Sequence, residues 1–219
     1  YRWRDPGTSS AARIAFITTR IGDLGLYVAA GILFAATGSF RLDAIATLDR
    51  PAADLVAAGL LLAASAKSAQ VPFAQWLFAA MTGPTPVSAL LHSATLVAAG
   101  AYVLIVTSPL LGAVSWFLPA IALVGLVTVF AGGAVAALQS EAKPALAGST
   151  SAQYGLMFVA IGAGAPAIAG AQLIVHAAFK SLLFLGAGAA MHESGSGRLA
   201  GMRLGRRRPL TAVLATVGL

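Results

Sequence analysis

The sequence contains no cysteine. That excludes a disulfide framework, a thiolate zinc site, an iron–sulfur cluster and a cysteine nucleophile. Charge is scarce as well: Asp, Glu, Lys and Arg make up 10% of the 219 residues, against about 25% in an ordinary soluble domain. So little charge cannot coat a globular surface, and the soluble-enzyme, disordered and collagen-like classes fall away. Three histidines (His92, His176, His192) and two glutamates (Glu141, Glu193) argue against a dedicated metal cage. What the chain has is apolar mass: 58% of its residues are hydrophobic and the mean hydropathy is +0.86. The formal charge of +7 sits between apolar runs, where an integral membrane protein carries it, and does not point to nucleic acid.

Apolar stretches long enough for a bilayer core of roughly 30 Å lie near residues 13–38, 54–71, 85–107, 112–138, 145–164 and 166–191. Another opens at Pro209. The expected fold is therefore an all-α polytopic transmembrane bundle, one domain over 1–219 with about six full spans and the start of another at 209–219. The chain begins at Tyr1 without a signal peptide and stops at Leu219 inside an apolar run, so we expect an internal segment of a longer membrane protein. The second span is interrupted at Gln70-Val71-Pro72, and a short amphipathic piece, Phe73 to Met81, follows. Pro72 lacks a backbone donor and clashes with the preceding turn, so a broken helix is expected there. In a bilayer such a break survives only where it is buried in protein or lines a polar cavity. Pro86, Pro166 and Pro209 stand where helices would begin, Pro84 lies in a turn, and Pro119 is expected to kink its span.

Lys and Arg in short loops set orientation. Arg2 and Arg4 precede the first span, Lys143 follows the fourth, and Arg198, Arg203, Arg206, Arg207 and Arg208 follow His192. Counting crossings, these segments share one side with the Gly83-Pro84-Thr85-Pro86 turn, expected to be cytoplasmic. The opposite loop, Ser39 to Ala53, is close to neutral. Trp3, Trp76 and Trp116 read as interfacial anchors. Gly132-Gly133-Ala134, Gly162-Ala163-Gly164 and Gly186-Ala187-Gly188 allow close helix contact in lipid.

The ionisable residues in mid-span carry the chemistry, because a charge at a helix centre costs roughly 2.5–3.5 kcal/mol on insertion scales. Lys67 lies about 13 residues into its span, about 20 Å deep at 1.5 Å per residue, just before the break. It reads either as a switchable proton carrier or as a static lysine held by carbonyls freed at the break. Gln172, His176 and Lys180 are spaced i, i+4, i+8 and form one polar stripe, able to pass protons through water. The alternative for His176 is a neutral imidazole hydrogen-bonded between helices. His92 stands about two turns into the span opened by Pro86, near Ser88, Ser93 and Thr95. Arg20 and Asp23 are i, i+3 and can pair; Asp23 is alternatively the carboxylate that modulates Lys67. Lys143, beside Glu141 and Pro144, is a helix-entrance cation or ordinary loop charge. Ser149, Thr150, Ser151 and Gln153 either wet a channel or bond across helices.

Several runs resemble a known family. Lys67-Ser68-Ala69-Gln70-Val71-Pro72-Phe73 with Trp76-Leu77 and Ala80-Met81 is similar to the broken helix of the antiporter-like subunits of respiratory complex I. Gly83-Pro84-Thr85-Pro86-Val87-Ser88-Ala89-Leu90-Leu91-His92-Ser93 resembles the hallmark that follows it. Thr19-Arg20-Ile21-Gly22-Asp23 resembles the preceding helix. Lys143 with Ser149-Thr150 and Gln153, and His176 to Leu185, resemble later ones. Chain L of NADH–quinone oxidoreductase and the A subunit of Mrp sodium/proton antiporters look nearest. The resemblance implies a hydrated mid-membrane proton path in which Lys67 is the central lysine. His92, Lys143, His176 and Lys180 are its connecting residues, and Asp23 is an acidic neighbour of that lysine. The family's glutamate partner and terminal lysine or glutamate fall outside 1–219. The chain departs from the pattern at Gln172, where a histidine is common, at Ala79 and Ala80, at Pro144 and at Gly148.

The reading is a proton-translocating subunit of an NADH–quinone oxidoreductase in a bacterial inner membrane, surrounded by lipid and by other membrane subunits. No redox cofactor is expected, since no ligand set or nucleotide motif is present. An Mrp-type antiporter, a membrane hydrogenase or an inorganic-carbon uptake complex stays open as the parent assembly. So does a non-conducting structural subunit, although an unpaired lysine at Lys67 argues against it.

Overall fold

The computed structural model describes residues 4–93 and 95–201. Trp3, Arg2, Arg203, Arg206, Arg207, Arg208 and the span expected from Pro209 lie outside the described residues. The regular elements of the described residues are helical, and one isolated bridge pairs Glu141 with Arg198.

Helix α1 runs Pro6–Thr37, starting seven residues before the expected span. Asp5 caps it, its carboxylate accepting from the Gly7 amide, and Pro6 occupies a first-turn position that needs no donor. Gly38, left-handed at φ 68°, closes it by donating to Phe34. Helix α2 (Arg50–Lys67) begins and ends earlier than expected. Asp49 caps its start, and the chain leaves the helix at Lys67, ahead of Pro72. After the break come the short α3 (Gln75–Ala79) and a 3-10 turn, Ala80–Thr82.

The span expected as one helix over 85–107 is two: α4 (Thr85–Ser93) and α5 (Leu96–Thr107). No proline or glycine marks that interruption, so pattern reading missed it. Helix α6 (Phe117–Leu138) starts later than expected, which places Pro119 in the first turn. There its missing N–H has no intrahelical role, so the expected kink lacks a cause. Helices α7 (Ala142–Gly162) and α8 (Pro166–Ser194) complete the bundle. Among the described residues, four segments are long and apolar enough to cross a membrane: Pro6–Thr37, Thr85–Leu111, Phe117–Leu138 and Pro166–Ser194.

Packing pairs α1 with α2 and α6 with α7, while the α4–α5 pair stands between α2 and α8. Small residues set the closest contacts, since lipid supplies no hydrophobic drive between helices. A Cβ on Gly25 would overlap the Gly59 carbonyl, and one on Gly125 would meet the Gly155 carbonyl. Of the expected small-residue runs, Gly132, Gly162 and Gly188 face a neighbouring element, whereas Gly133, Gly164 and Gly186 face open space. The core holds Val56, Leu60, Trp76, Leu104, Phe117, Tyr154 and Phe158. Phe16, Tyr27, Phe130 and Ile174 point outward, as apolar side chains do when the surrounding solvent is lipid.

The two ends of the bundle are distinct. At one, Lys143 reaches the Gly83 carbonyl and the Ala142 amide donates to Gly197. The turn at 83–84, the entry to α7 and the segment after α8 therefore share a side, as the charge pattern predicted. At the other, Trp116 donates to Asp54 and Arg50 to the Ala113 carbonyl.

Candidate functional site

The break after α2 is buried: Ser68, Ala69 and Gln70 are fully enclosed. Ala69 takes a left-handed φ of 49°, and the Val71–Pro72 peptide is cis. The groups freed there find partners on several other segments. The Trp76 indole donates to the Ala66 carbonyl at 2.8 Å, and the Ser151 hydroxyl to that of Ala69 at 2.7 Å. The Gln70 amide donates to the Ser68 carbonyl at 2.8 Å, and the Val71 N–H to the Thr128 hydroxyl at 3.0 Å. Such satisfaction is what lets irregular backbone persist at membrane depth. Trp76, expected at the interface, is buried and holds this break instead. Trp116 stands at a bundle end, as an anchor would.

Those carbonyls are taken by side chains other than Lys67. The Lys67 ammonium lies 2.6 Å from one Asp23 oxygen, and Arg20 lies 2.5 Å from the other. Asp23 thus pairs with Arg20 and with Lys67 at once, and Lys67 is not the unpaired lysine expected. The carboxylate and the Lys67 side chain are 11% and 13% exposed, whereas Arg20 is 51% exposed on the outward face of α1. Counted together, the trio carries one positive charge in excess.

A second group lies on α4, α7 and α8. Lys180 is fully buried and donates to the Ser149 hydroxyl at 2.8 Å. His176 and His92 are fully buried too, and neither ring nitrogen of either residue has a hydrogen-bond partner. The His176 ring meets the edge of Tyr154 at 4.9 Å and Phe179 at 5.1 Å. His92 packs on Phe184 at 4.7 Å. His92 stands on α4, which packs against the helix carrying His176 and Lys180. The interhelical hydrogen bond offered as an alternative for His176 is not made.

The remaining polar residues bond across or along helices. Gln172 donates to Gln153 at 2.8 Å, so the polar stripe begins as an α7–α8 amide pair. Thr150 bonds back to the Leu146 carbonyl. Lys143 holds the Met81 and Gly83 carbonyls at 2.9 and 2.6 Å, tying the entry of α7 to the turn before α4.

Residues 1–219 match the transmembrane family described as NADH:quinone oxidoreductase/Mrp antiporter. The chain belongs to that family. This antiporter-family chain is 43% identical over 216 residues to NADH-quinone oxidoreductase subunit L of Campylobacter jejuni, which covers 96% of the chain and 36% of the relative. It is 41% identical over 227 aligned positions to subunit L of Mycobacterium tuberculosis, covering 99% of the chain and 35% of the relative. A chain in the solved Mrp complex from Dietzia sp. DQ12-45-1b is similar at 33% identity and a TM-score of 0.88, over 98% of this chain and 26% of that one. The chain thus spans about a third of the length of the curated relatives it matches.

Within the antiporter-family chain, reading the sequence missed Tyr154, Thr128 and the part played by Ser68. Tyr154 donates to the Ser93 carbonyl at 3.3 Å, next to His92, while its ring contacts His176. A phenol in the middle of an apolar helix must find a partner, and that was the available signal.

Proposed function

We propose that the chain is part of a proton-translocating subunit of an NADH–quinone oxidoreductase and conducts protons at mid-membrane. Lys67, His92, His176 and Lys180 carry the path, with Asp23 at one end and Lys143 at the other. Arg20, Gln172, Ser149 and Thr150 support it. The observation that carries this reading is the cluster of His92, His176 and Lys180, all fully buried and, between them, bonded to a single hydroxyl. Burying ionisable groups without partners is costly. Retaining three together is understandable where water enters and protons pass, since imidazole accepts and donates in turn.

Asp23 supplies the switch. A carboxylate stabilises a neighbouring ammonium, and Asp23 divides itself between Arg20 and Lys67. A shift toward Arg20 releases its hold on the Lys67 proton, and a shift back restores it. No redox cofactor is assigned to the chain. Lipid and other membrane subunits surround it in a bacterial inner membrane, with Lys143 and Arg198 on the cytoplasmic side by the distribution of positive charge.

The likeness to the Mrp chain favours sodium/proton exchange as the second reading. A sodium site needs several oxygens converging on one point. The clearest interior carboxylate, Asp23, already has an oxygen on each of two cations, which repel sodium. Acidification by the reconstituted parent complex, measured in sodium-free buffer and with sodium added, tests the choice. The proposal expects full acidification without sodium. A proton signal strictly dependent on sodium, and lost on replacing Lys67 or His176, overturns it.

A further inference from the structure

Among the described residues, α2 ends at Lys67 ahead of its expected end, and the span that holds His92 is divided between α4, ending at Ser93, and α5, starting at Leu96. A single hydroxyl joins the breaks. The Ser68 hydroxyl donates to the Val97 carbonyl at 2.8 Å and accepts from the Ala101 N–H at 2.9 Å. Val97 and Ala101 are an i, i+4 pair, the two groups that an α-helix ordinarily bonds to each other. Ser68 therefore engages a rung of α5 itself, in the first turn after the interruption. Side chains that enter a helix ladder in this way are a recognised cause of helix distortion.

The fit is close. Ser68, Val97 and Ala101 are fully buried. A Cβ on Gly100 would collide with the Ser68 hydroxyl and the Ala64 carbonyl, so the glycine is what lets α2 reach this rung. The Ser68 N–H meanwhile completes the end of α2 by bonding to Ala64 at 2.8 Å. Ser68 is thus fixed to α2 through its backbone and to α5 through its side chain, one residue after Lys67, while its partner Val97 lies five residues after His92.

We infer that Ser68 is a positioning residue that locks the broken end of α2 to the start of α5, so that Lys67 and His92 keep one relative geometry. Neither touches the hydroxyl; Ser68 acts on Lys67 through its own backbone and on His92 through α5, against which α4 packs. The inference rests on the proton-path reading of Lys67 and His92. Removing the hydroxyl removes both bonds that tie Ser68 to α5.

The test uses the full-length subunit in its parent complex, in inverted membrane vesicles. Pumping per assembled complex and its pH profile are recorded for Ser68→Ala and Ser68→Thr. Lys67 faces Asp23 and Arg20 from α1; His92 lies on α4 against α8, which carries His176 and Lys180, with Lys143 from α7 at the turn before α4. The expected result for Ser68→Ala is near-normal assembly, pumping lower by about fivefold, the effect of roughly one net hydrogen bond, and a displaced pH profile. Ser68→Thr, which keeps the hydroxyl, recovers part of the loss. Unchanged pumping and profile in Ser68→Ala overturn the inference. So does a fall in assembled complex alone, with pumping per complex and profile unaltered, since that is a purely structural role. Should the alanine variant not assemble, Ser68→Cys decides by the same two readouts. Lys67→Ala and His92→Ala run alongside: if both pump normally, the path reading itself has failed; if both fail while Ser68→Ala pumps normally, only the positioning role is lost.

Discussion

Removing the shared carboxylate and removing the lysine it holds should have unequal effects on assembly. In the native trio Arg20 and Lys67 contribute two positive charges and Asp23 one negative, with ion pairs of 2.5 and 2.6 Å. Lys67→Ala leaves the Arg20–Asp23 pair, neutral overall. Asp23→Asn leaves two cations with no counter-charge. At an effective dielectric near 20, each lost attraction is about 4 kcal/mol at 4 Å, and removing one partner of a buried pair costs about 3–5 kcal/mol. A loss of only 1–2 kcal/mol changes cellular abundance severalfold. Asp23→Asn should therefore depress the assembled amount strongly, while Lys67→Ala should assemble near the native level. Neither should pump normally, since one lacks the proton carrier and the other its control. Quantitative blotting of the assembled complex, followed by acidification assays on equal amounts, reads both effects. An Asp23→Asn variant that assembles as well as Lys67→Ala and pumps at the native rate would refute the charge count and the switch together.

Three further outcomes follow from the same geometry. His176→Leu should lower pumping with near-normal assembly, because its ring nitrogens make no hydrogen bond that assembly would lose; an assembly defect with native pumping per complex contradicts this. Lys143→Met abandons two carbonyls at the turn before α4 and should destabilise by about 1–3 kcal/mol, seen as a lower temperature of inactivation for the purified complex. Gly59→Leu forces a side chain into the α1–α2 contact, where a Cβ would already collide with the Gly25 carbonyl. The expected cost is about 1–3 kcal/mol or more, visible as reduced assembly, whereas Gly31→Leu, facing open space, should be tolerated.

The helices were legible because bilayer-length apolar runs and proline positions are local signals. Pro72 announced a break, yet the helix stops at Lys67, where Ser68 and Val71 bond to neighbouring segments and Gln70 bonds within the loop. The sequence between Ser93 and Leu96 carries no proline or glycine, and the side chains that bond nearest to it from elsewhere, Ser68 to Val97 and Tyr154 to Ser93, come from distant parts of the chain. Asp23, Lys67, His176 and Lys180 were visible as charges in the wrong solvent. Their pairing was not, since the sequence offered Asp23 two partners and could not show that it takes both. Trp76 was misread because an indole at an interface and an indole capping a freed carbonyl look alike until the third dimension is known.

Lys180 offers the most direct test of proton conduction. It is fully buried, and its one hydrogen bond goes to the Ser149 hydroxyl. If it were structural, removing it should harm assembly. If it is retained for conduction, an apolar residue of similar length should assemble as well or better, because the burden of burying a polar group is gone. The measurement is the number of protons moved per electron pair by the parent complex carrying Lys180→Met, compared with the native complex at equal assembly. We predict undiminished assembly and a clear fall in that ratio; an unchanged ratio would contradict the proposed path.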